Sequence, residues 1–200
     1  MAEEVAHALR AAKHTVTVVE STTAGLIQAA LQSVAGASVY TTCGAVTYHS
    51  SHAVAVLGCD MSAPRASGAH AYVEAKKTLT LKIARRMRSE VDAVWSICEG
   101  GACGPSFNVP GIAAGFSVIT ISGPVERAVL VQSTHANREE NMWGFAKAAL
   151  DLLLLCIKEH EKKRYCVHIH THTHTHTHTH THTHTHTHTH THMAALRPQR

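Results

Sequence analysis

Residues 15–20, TVTVVE, constrain the fold of this chain more than any other stretch. Five β-branched residues in succession read as a strand covered on both faces, an environment supplied by a sheet with helices packed on each side. The run stops at an acid and three hydroxyls, Glu20, Ser21, Thr22 and Thr23, and TTAGLIQAALQS then reads as a helix. Hydroxyls at the carboxyl end of a buried strand stand where open α/β sheets bind ligands. Amides at such a helix start suit a phosphate or an oxyanion, while Ser and Thr are also the ordinary caps of a helix. The stretch poses a helix cap against a nucleophile.

The rest of the chain alternates in the same way. Val5, Ala8, Leu9 and Ala12 mark an amphipathic helix ahead of the first strand. VAGAS ends the second helix, CGAVTY reads as a second strand, and a short helix is expected over residues 50–57, closed by Gly58. Tyr72, Ala75, Leu79, Ile83 and Met87 recur at three- and four-residue steps, so a long helix leads to the strand DAVWSIC. GFSVITIS and RAVLVQST, separated by GPVE, read as a β-hairpin. The last helix opens on Asn137 as N-cap with Glu140 three residues later, a variant of the capping box. Met142, Phe145, Ala149, Leu152 and Cys156 form its apolar stripe, widened by Leu150, Leu153, Leu154 and Ile157; core packing or a subunit interface would cover it. The expected fold class is α/β, a three-layer α/β/α sandwich with a mixed β-sheet.

With 200 residues and 44% hydrophobic content, one globular domain over residues 1–165 is expected. Residues 166–200 are expected to form a disordered tail. From 168 to 192 histidine fills every second position, almost always alternating with threonine, and such a segment has nothing to build a core from. A CA dinucleotide repeat read in one frame encodes this alternation. In an extended chain alternate side chains share a face, so the tail is expected to bind Zn, Ni or Cu adventitiously. Eighteen Lys and Arg against fourteen Asp and Glu leave no nucleic-acid footprint. MAEEVAHALR lacks the basic flank and apolar stretch of a signal peptide, and the longest apolar run, residues 150–157, is too short for a bilayer. A soluble, cytoplasmic protein without nucleic-acid or membrane partners is expected. The six cysteines, at 43, 59, 98, 103, 156 and 166, contain no C-x-x-C pair and read as buried thiols; no metal centre and no cofactor are expected.

Residues 99–111, EGGACGPSFNVPG, follow the strand AVWSIC directly. Four glycines and two prolines build an irregular loop with amides suited to an anion. It fits neither a Walker loop, having no Gly-Lys-Ser/Thr, nor G-x-G-x-x-G.

Together these stretches resemble the C-terminal domain family of the competence/damage-inducible protein CinA, whose characterised members deamidate nicotinamide mononucleotide. The resemblance runs from about residue 5 to residue 157. Its carriers are ESTTAGL against the family's E-S-x-T-G-G, VAGAS with CGAVTY against P-G-A-S and G-x-V-x-Y, LG at Leu57 and Gly58, GGACGP against S-G-x-A-G-P, and Arg138 against the arginine that opens the last helix. The resemblance implies that Ser21 attacks the carboxamide, that acyl transfer releases ammonia, and that water then frees nicotinic acid mononucleotide. It implies further that Thr22, Thr23 and the loop with Gly100, Gly101 and Gly104 line the ligand, that Arg138 takes its phosphate, that Tyr48 orients ligand or base, and that the chain forms a homodimer.

Two positions depart from the pattern. The bacterial Y-S-N-E-A-K places a lysine, the base for the serine, five residues after the tyrosine; YHSSHA puts Ala53 there. Gly100 stands where the bacterial motif has serine. A serine hydroxyl holds its proton at neutral pH and needs a base within hydrogen-bond reach. His52, with His49 beside it, is the expected substitute, an imidazole having a pKa of about 6.5. Glu99, and after it Lys76, are the more distant candidates. The resemblance thus leaves an amidase, or a domain that has lost its base and serves as a small-nucleotide-binding or interaction module.

Overall fold

Every side chain of β1 (Val16–Glu20) is buried, and the cause is its place in the sheet. In the computed structural model, which describes residues 1–58 and 68–176, β1 pairs in parallel with β2 (Thr41–Val46) on one side and β3 (Trp95–Ala102) on the other. β4 (Phe116–Ser122) and β5 (Arg127–Gln132) add antiparallel, completing the order β2-β1-β3-β4-β5. The mixed sheet and the GPVE hairpin are as the sequence implies. Helices α1 (Ala2–Ala12), α2 (Leu26–Gln32), α3 (Val54–Leu57), α4 (Gly68–Glu90) and α5 (Arg138–His176) complete the fold, and a 3₁₀ turn at Ser50–Ala53 runs into α3. The chain divides into two compact units, Met1–Arg164 and Tyr165–Arg200. Helix α5 extends past residue 165, and residues 177–200 of the expected tail lie outside the described residues.

Alternation along the strands sorts side chains onto two faces. Val16, Val18, Trp95, Ile97, Ile119 and Ile121 pack beneath α1, α2 and α5. Val19 and Cys98 pack beneath Ala53, Leu57, Ile83 and Ala84, and Phe116 and Val118 beneath Tyr72 and Val73. The result is the expected α/β sandwich, with helices on both faces. Ala149, Leu150, Leu153, Leu154, Cys156 and Ile157 of α5 are buried within this chain, so core packing accounts for that broad stripe. On α4 the buried face is Tyr72, Val73, Lys76, Thr80, Ile83 and Ala84. The stripe expected through Ala75 and Leu79 is rotated by one position, because two polar residues, Lys76 and Thr80, belong to the buried face. Thr80 is accommodated there by a hydroxyl pair with Thr120 at 2.7 Å.

The link from β1 to β2 crosses one face of the sheet through α2, and the link from β2 to β3 crosses the other through α4. The chain therefore switches direction between the carboxyl ends of β1 and β3, the point at which open α/β sheets bind their ligands. Glu20–Ser21 and the glycine-rich segment after Cys98 both stand at this point. None of the described helices is long and apolar enough to cross a membrane.

Candidate functional site

Helix α2 starts at Leu26, later than TTAGL suggests, because Ala24 (φ 54°) and Gly25 (φ 98°) take the left-handed conformation. They curl residues 21–25 so that the amides turn onto two carboxylates. Glu20 accepts from Gly25 N (2.9 Å), Ile27 N (3.1 Å), Gln28 N (2.9 Å) and Thr23 Oγ1 (2.7 Å). The cap of α2 is thus the strand's own terminal acid, where a negative charge also meets the helix dipole favourably, and not the serine or threonines. Glu99 reaches in from β3. It accepts from Thr22 N (2.7 Å), Thr23 N (3.1 Å), Ser21 N (3.5 Å) and the hydroxyls of Thr22 and Thr23.

Both carboxylates are buried, Glu20 at 1% and Glu99 at 0% exposure. Burial pushes the Glu99 carboxyl above its ordinary 4.5, against the Thr22 hydroxyl and the Thr22 and Thr23 amides, with the Glu20 charge adding to the rise. Thr23 Oγ1 touches both acids, at 2.7 and 3.2 Å, yet a hydroxyl has one proton to donate. A proton resting on Glu99 allows both contacts to stand.

Two expectations change accordingly. The amides at the start of α2 serve internal carboxylates and are spent for phosphate or oxyanion binding. Thr22 and Thr23, 5% and 0% exposed, hold the turn in shape, their hydroxyls directed to the buried acids. Ser21 differs from its neighbours: it is partly exposed, and its hydroxyl makes no hydrogen bond among the described residues. Ala24 is exposed and left-handed, a conformation that costs an L-residue about 1–2 kcal/mol. Ala24→Gly is expected to raise stability by about 1 kcal/mol, read from a urea midpoint; no gain would show that the turn relaxes.

The expected loop begins later than its sequence suggests, since Gly100 and Gly101 lie inside β3, opposite Val118 and Ser117. A Cβ on Gly101 would sit 2.1 Å from Phe116 O, so this glycine admits the neighbouring strand. Gly100 faces differently. A Cβ there would lie 3.3 Å from Lys76 Cε, 3.4 Å from Lys76 Nζ and 3.8 Å from Ser21 Cβ. Lys76 is 5% exposed.

Farther along, Cys103 Sγ lies 3.5 Å from Thr22 O. Burial, with the Glu99 charge, pushes this thiol up to about 11, which makes it inert. Gly104 O accepts from Arg138 Nη1 at 2.8 Å, and Arg138 Nη2 donates to Tyr48 Oη at 2.9 Å. Asn137 caps α5 as the sequence implies, accepting from Glu139 N (2.8 Å) and Glu140 N (3.1 Å). Asn141 Nδ2 donates to Cys103 O at 2.8 Å and fastens the start of α5 to the loop.

Contacts link the expected residues at the carboxyl ends of β1 and β3: Ser21 lies by Gly100, Thr22 by Cys103, and Arg138 joins Gly104 to Tyr48. The structure does not bring His52 to Ser21: His52 is exposed, its ring stacks on His49 at 4.4 Å, and no contact joins it to the serine among the described residues. Ala53, 2% exposed, points into an apolar cluster. Glu20, Lys76 and Asn141 are the site residues that sequence reasoning missed or ranked low. Of these, only Glu20 carried a local signal, an acid at the end of a buried strand.

A second cluster, absent from the sequence reading, joins His14, His160 and Glu161, whose ligand atoms lie within 4.8 Å of one another. Trp95 Nε1 donates to His14 Nδ1 at 3.1 Å, which leaves the proton of a neutral imidazole on Nε2. That ring then has no lone pair for a metal. Burial pulls His14 below 6.5, with Glu161 opposing. The folded chain binds this proton less readily than the unfolded one, so the stability present above pH 6.5 is lost as pH falls through the lowered value. His14→Phe is expected to flatten the decline in urea midpoint from about pH 7 to about pH 5. Parallel declines in parent and variant would contradict it.

The family model described as "CinA C-terminal domain" matches residues 1–157. A CinA-like protein of Chlorobaculum tepidum is 33% identical over 164 residues, 80% of this chain and 38% of the relative. Another from Anaeromyxobacter dehalogenans is 28% identical over 70% of this chain and 33% of its own. The chain thus spans between a third and two fifths of the length of these curated relatives. A crystal structure of a competence-damaged protein (CinA) superfamily protein from Klebsiella pneumoniae superposes with a TM-score of 0.68 at 22% identity, covering 79% of this chain and 96% of that one. One from Escherichia coli gives 0.64 at 20% identity, with coverages of 78% and 90%.

Proposed function

Because the chain belongs to the CinA C-terminal domain family, we propose that it is an amidase that converts nicotinamide mononucleotide to nicotinic acid mononucleotide and ammonia. The observation that carries this reading is Ser21. Its hydroxyl stands partly exposed at the carboxyl end of β1, on a turn whose other hydroxyls and amides are tied to Glu20 and Glu99. Ser21 Oγ adds to the carboxamide carbon, the tetrahedral adduct expels ammonia, and water then cleaves the acyl-serine. Arg138, exposed at the rim and steadied by Tyr48 and Gly104, has further N–H donors in the same plane for the phosphate.

The second reading, a nucleotide-binding module without turnover, is favoured by Ala53, which places no base from that segment against the serine. Ammonia release from nicotinamide mononucleotide by the full chain, beside Ser21→Ala, separates the two. Release that vanishes with Ser21→Ala is the expected result. Thermal stabilisation by the nucleotide without release would establish the module instead. The homodimer and the cytoplasmic setting belong to the same proposal. Trp143 and Leu155, both 53% exposed on α5, offer apolar surface for a second copy, and light scattering reads the mass.

A further inference from the structure

Arg138 lies exposed at the start of α5, and an exposed arginine samples many rotamers, whose freezing around an anion costs entropy. Here the guanidinium is tethered before any ligand arrives. Nη1 donates to Gly104 O at 2.8 Å, Nη2 donates to Tyr48 Oη at 2.9 Å, and the guanidinium carbon stands 6.0 Å from the Tyr48 ring centroid. Such a tether is only as firm as the loop that carries Gly104.

Asn141, on the next turn of α5, holds that loop. It is 1% exposed, and its two amide protons go to carbonyls of different segments, Cys103 O at 2.8 Å and His135 O at 3.2 Å. Positions three apart are neighbours on a helix surface, so Arg138 and Asn141 grip two consecutive loop residues, Gly104 and Cys103. Gly104 takes φ 104°, a conformation that suits glycine. Cys103 Sγ lies 3.5 Å from Thr22 O, next to Ser21. One line of contacts thus runs from the turn of Ser21 through the loop to the guanidinium. Asn141 Oδ1 is buried with no partner among the described residues. An idle buried oxygen costs stability that a leucine of similar shape would not incur, so the carboxamide is there for its two donors.

We propose that Asn141 is a positioning residue: it fixes the loop whose carbonyl holds the Arg138 guanidinium, and so sets the reach from Ser21 to the group that takes the ligand's phosphate. This rests on the phosphate role proposed for Arg138 and deepens it, naming what keeps the guanidinium in place. Buried, Asn141 acts through the loop and not on the ligand. A phosphate that meets an ordered fork makes its bonds without first freezing the side chain. A nucleoside without phosphate draws nothing from that order.

The test uses the full chain with Asn141→Asp, which keeps the shape but puts an acceptor where the donors were, Asn141→Ala, which removes shape and donors together, and Asn141→Ser, which keeps one donor on a shorter stem. Each is read well below its own melting midpoint, so that lost stability is not taken for lost position. The first readout needs no ligand: the heteronuclear NOE of the Arg138 Nε–H group in isotope-labelled protein, its signal assigned by its absence from Arg138→Lys. The second is the ratio of affinities for nicotinamide mononucleotide and its dephosphorylated nucleoside, by calorimetry. Asn141→Asp and Asn141→Ala are expected to lower the NOE to that of untethered arginines, with Asn141→Ser between, and to lower the ratio about tenfold to a hundredfold, with the nucleoside affinity moving less than threefold. A parent NOE as low as that of untethered arginines, or one that survives in Asn141→Asp and Asn141→Ala, would overturn the assignment. Equal weakening of nucleotide and nucleoside, in a parent that prefers the nucleotide, would overturn it as well. An NOE that collapses in the variants of a parent with no such preference would leave Asn141 positioning Arg138 and sink the phosphate role alone.

Discussion

Glu99→Ala is expected to lower the unfolding free energy by about 3–5 kcal/mol, although it removes a carboxylate from an apolar interior. Two buried amides, Thr22 N and Thr23 N, lose their acceptor, and two buried hydroxyls lose a partner, each at the cost of desolvation. Glu99→Gln keeps an oxygen for the amides and is expected to cost about 1–2 kcal/mol. The pH dependence has a fixed sign. Because burial raises the folded pKa of Glu99 above 4.5, its contribution is whole below 4.5 and declines as pH rises through the raised value. The gap between parent and Glu99→Gln therefore narrows with rising pH. Urea midpoints over a pH series check both statements, and a loss under about 1 kcal/mol for Glu99→Ala would show that the turn finds other acceptors.

Ser21→Ala is expected to lower kcat at least about a thousandfold while changing stability by less than about 0.5 kcal/mol. The two effects separate because the Ser21 hydroxyl, alone among those of residues 21–23, takes no part in holding the turn. Thr23→Val should do the reverse to the scaffold: it removes the hydroxyl that touches both Glu20 and Glu99 and costs about 1–3 kcal/mol. Turnover and thermal melts on the same samples read the contrast. A Ser21→Ala chain that melts well below its parent would place the hydroxyl in the scaffold.

The order of strands and helices was legible because each element carries its own period, and Asn137, Arg138 and Tyr48 were legible because local motifs mark them. What escaped was tertiary. Glu20 and Glu99 become partners in one task only when β1 and β3 align side by side, and 78 residues separate Ser21 from Glu99. Lys76 escaped for a different reason. A hydrophobic period assigns apolar residues to the buried face, and a lysine on that face rotates the pattern toward Ala75 and Leu79. Glu99 outranked it as a base from its place beside the glycines; the hydrogen bonds assign that carboxylate to the turn. Gly100 and Gly101 read as loop because glycine weakens strand propensity, whereas close approach of β4 to Gly101 and of Lys76 to Gly100 is what those positions accommodate.

The turn is fastened from beneath by groups of the chain itself, with Thr23 joining the two acids. These bonds fix the outline of residues 21–25 from within, so this turn needs no ligand to order it. Selection then works by departure: molecules reach a rigid surface at similar speed, and those that match it stay longer. Comparison among nucleotides is expected to show nearly equal association rates and widely spread dissociation rates.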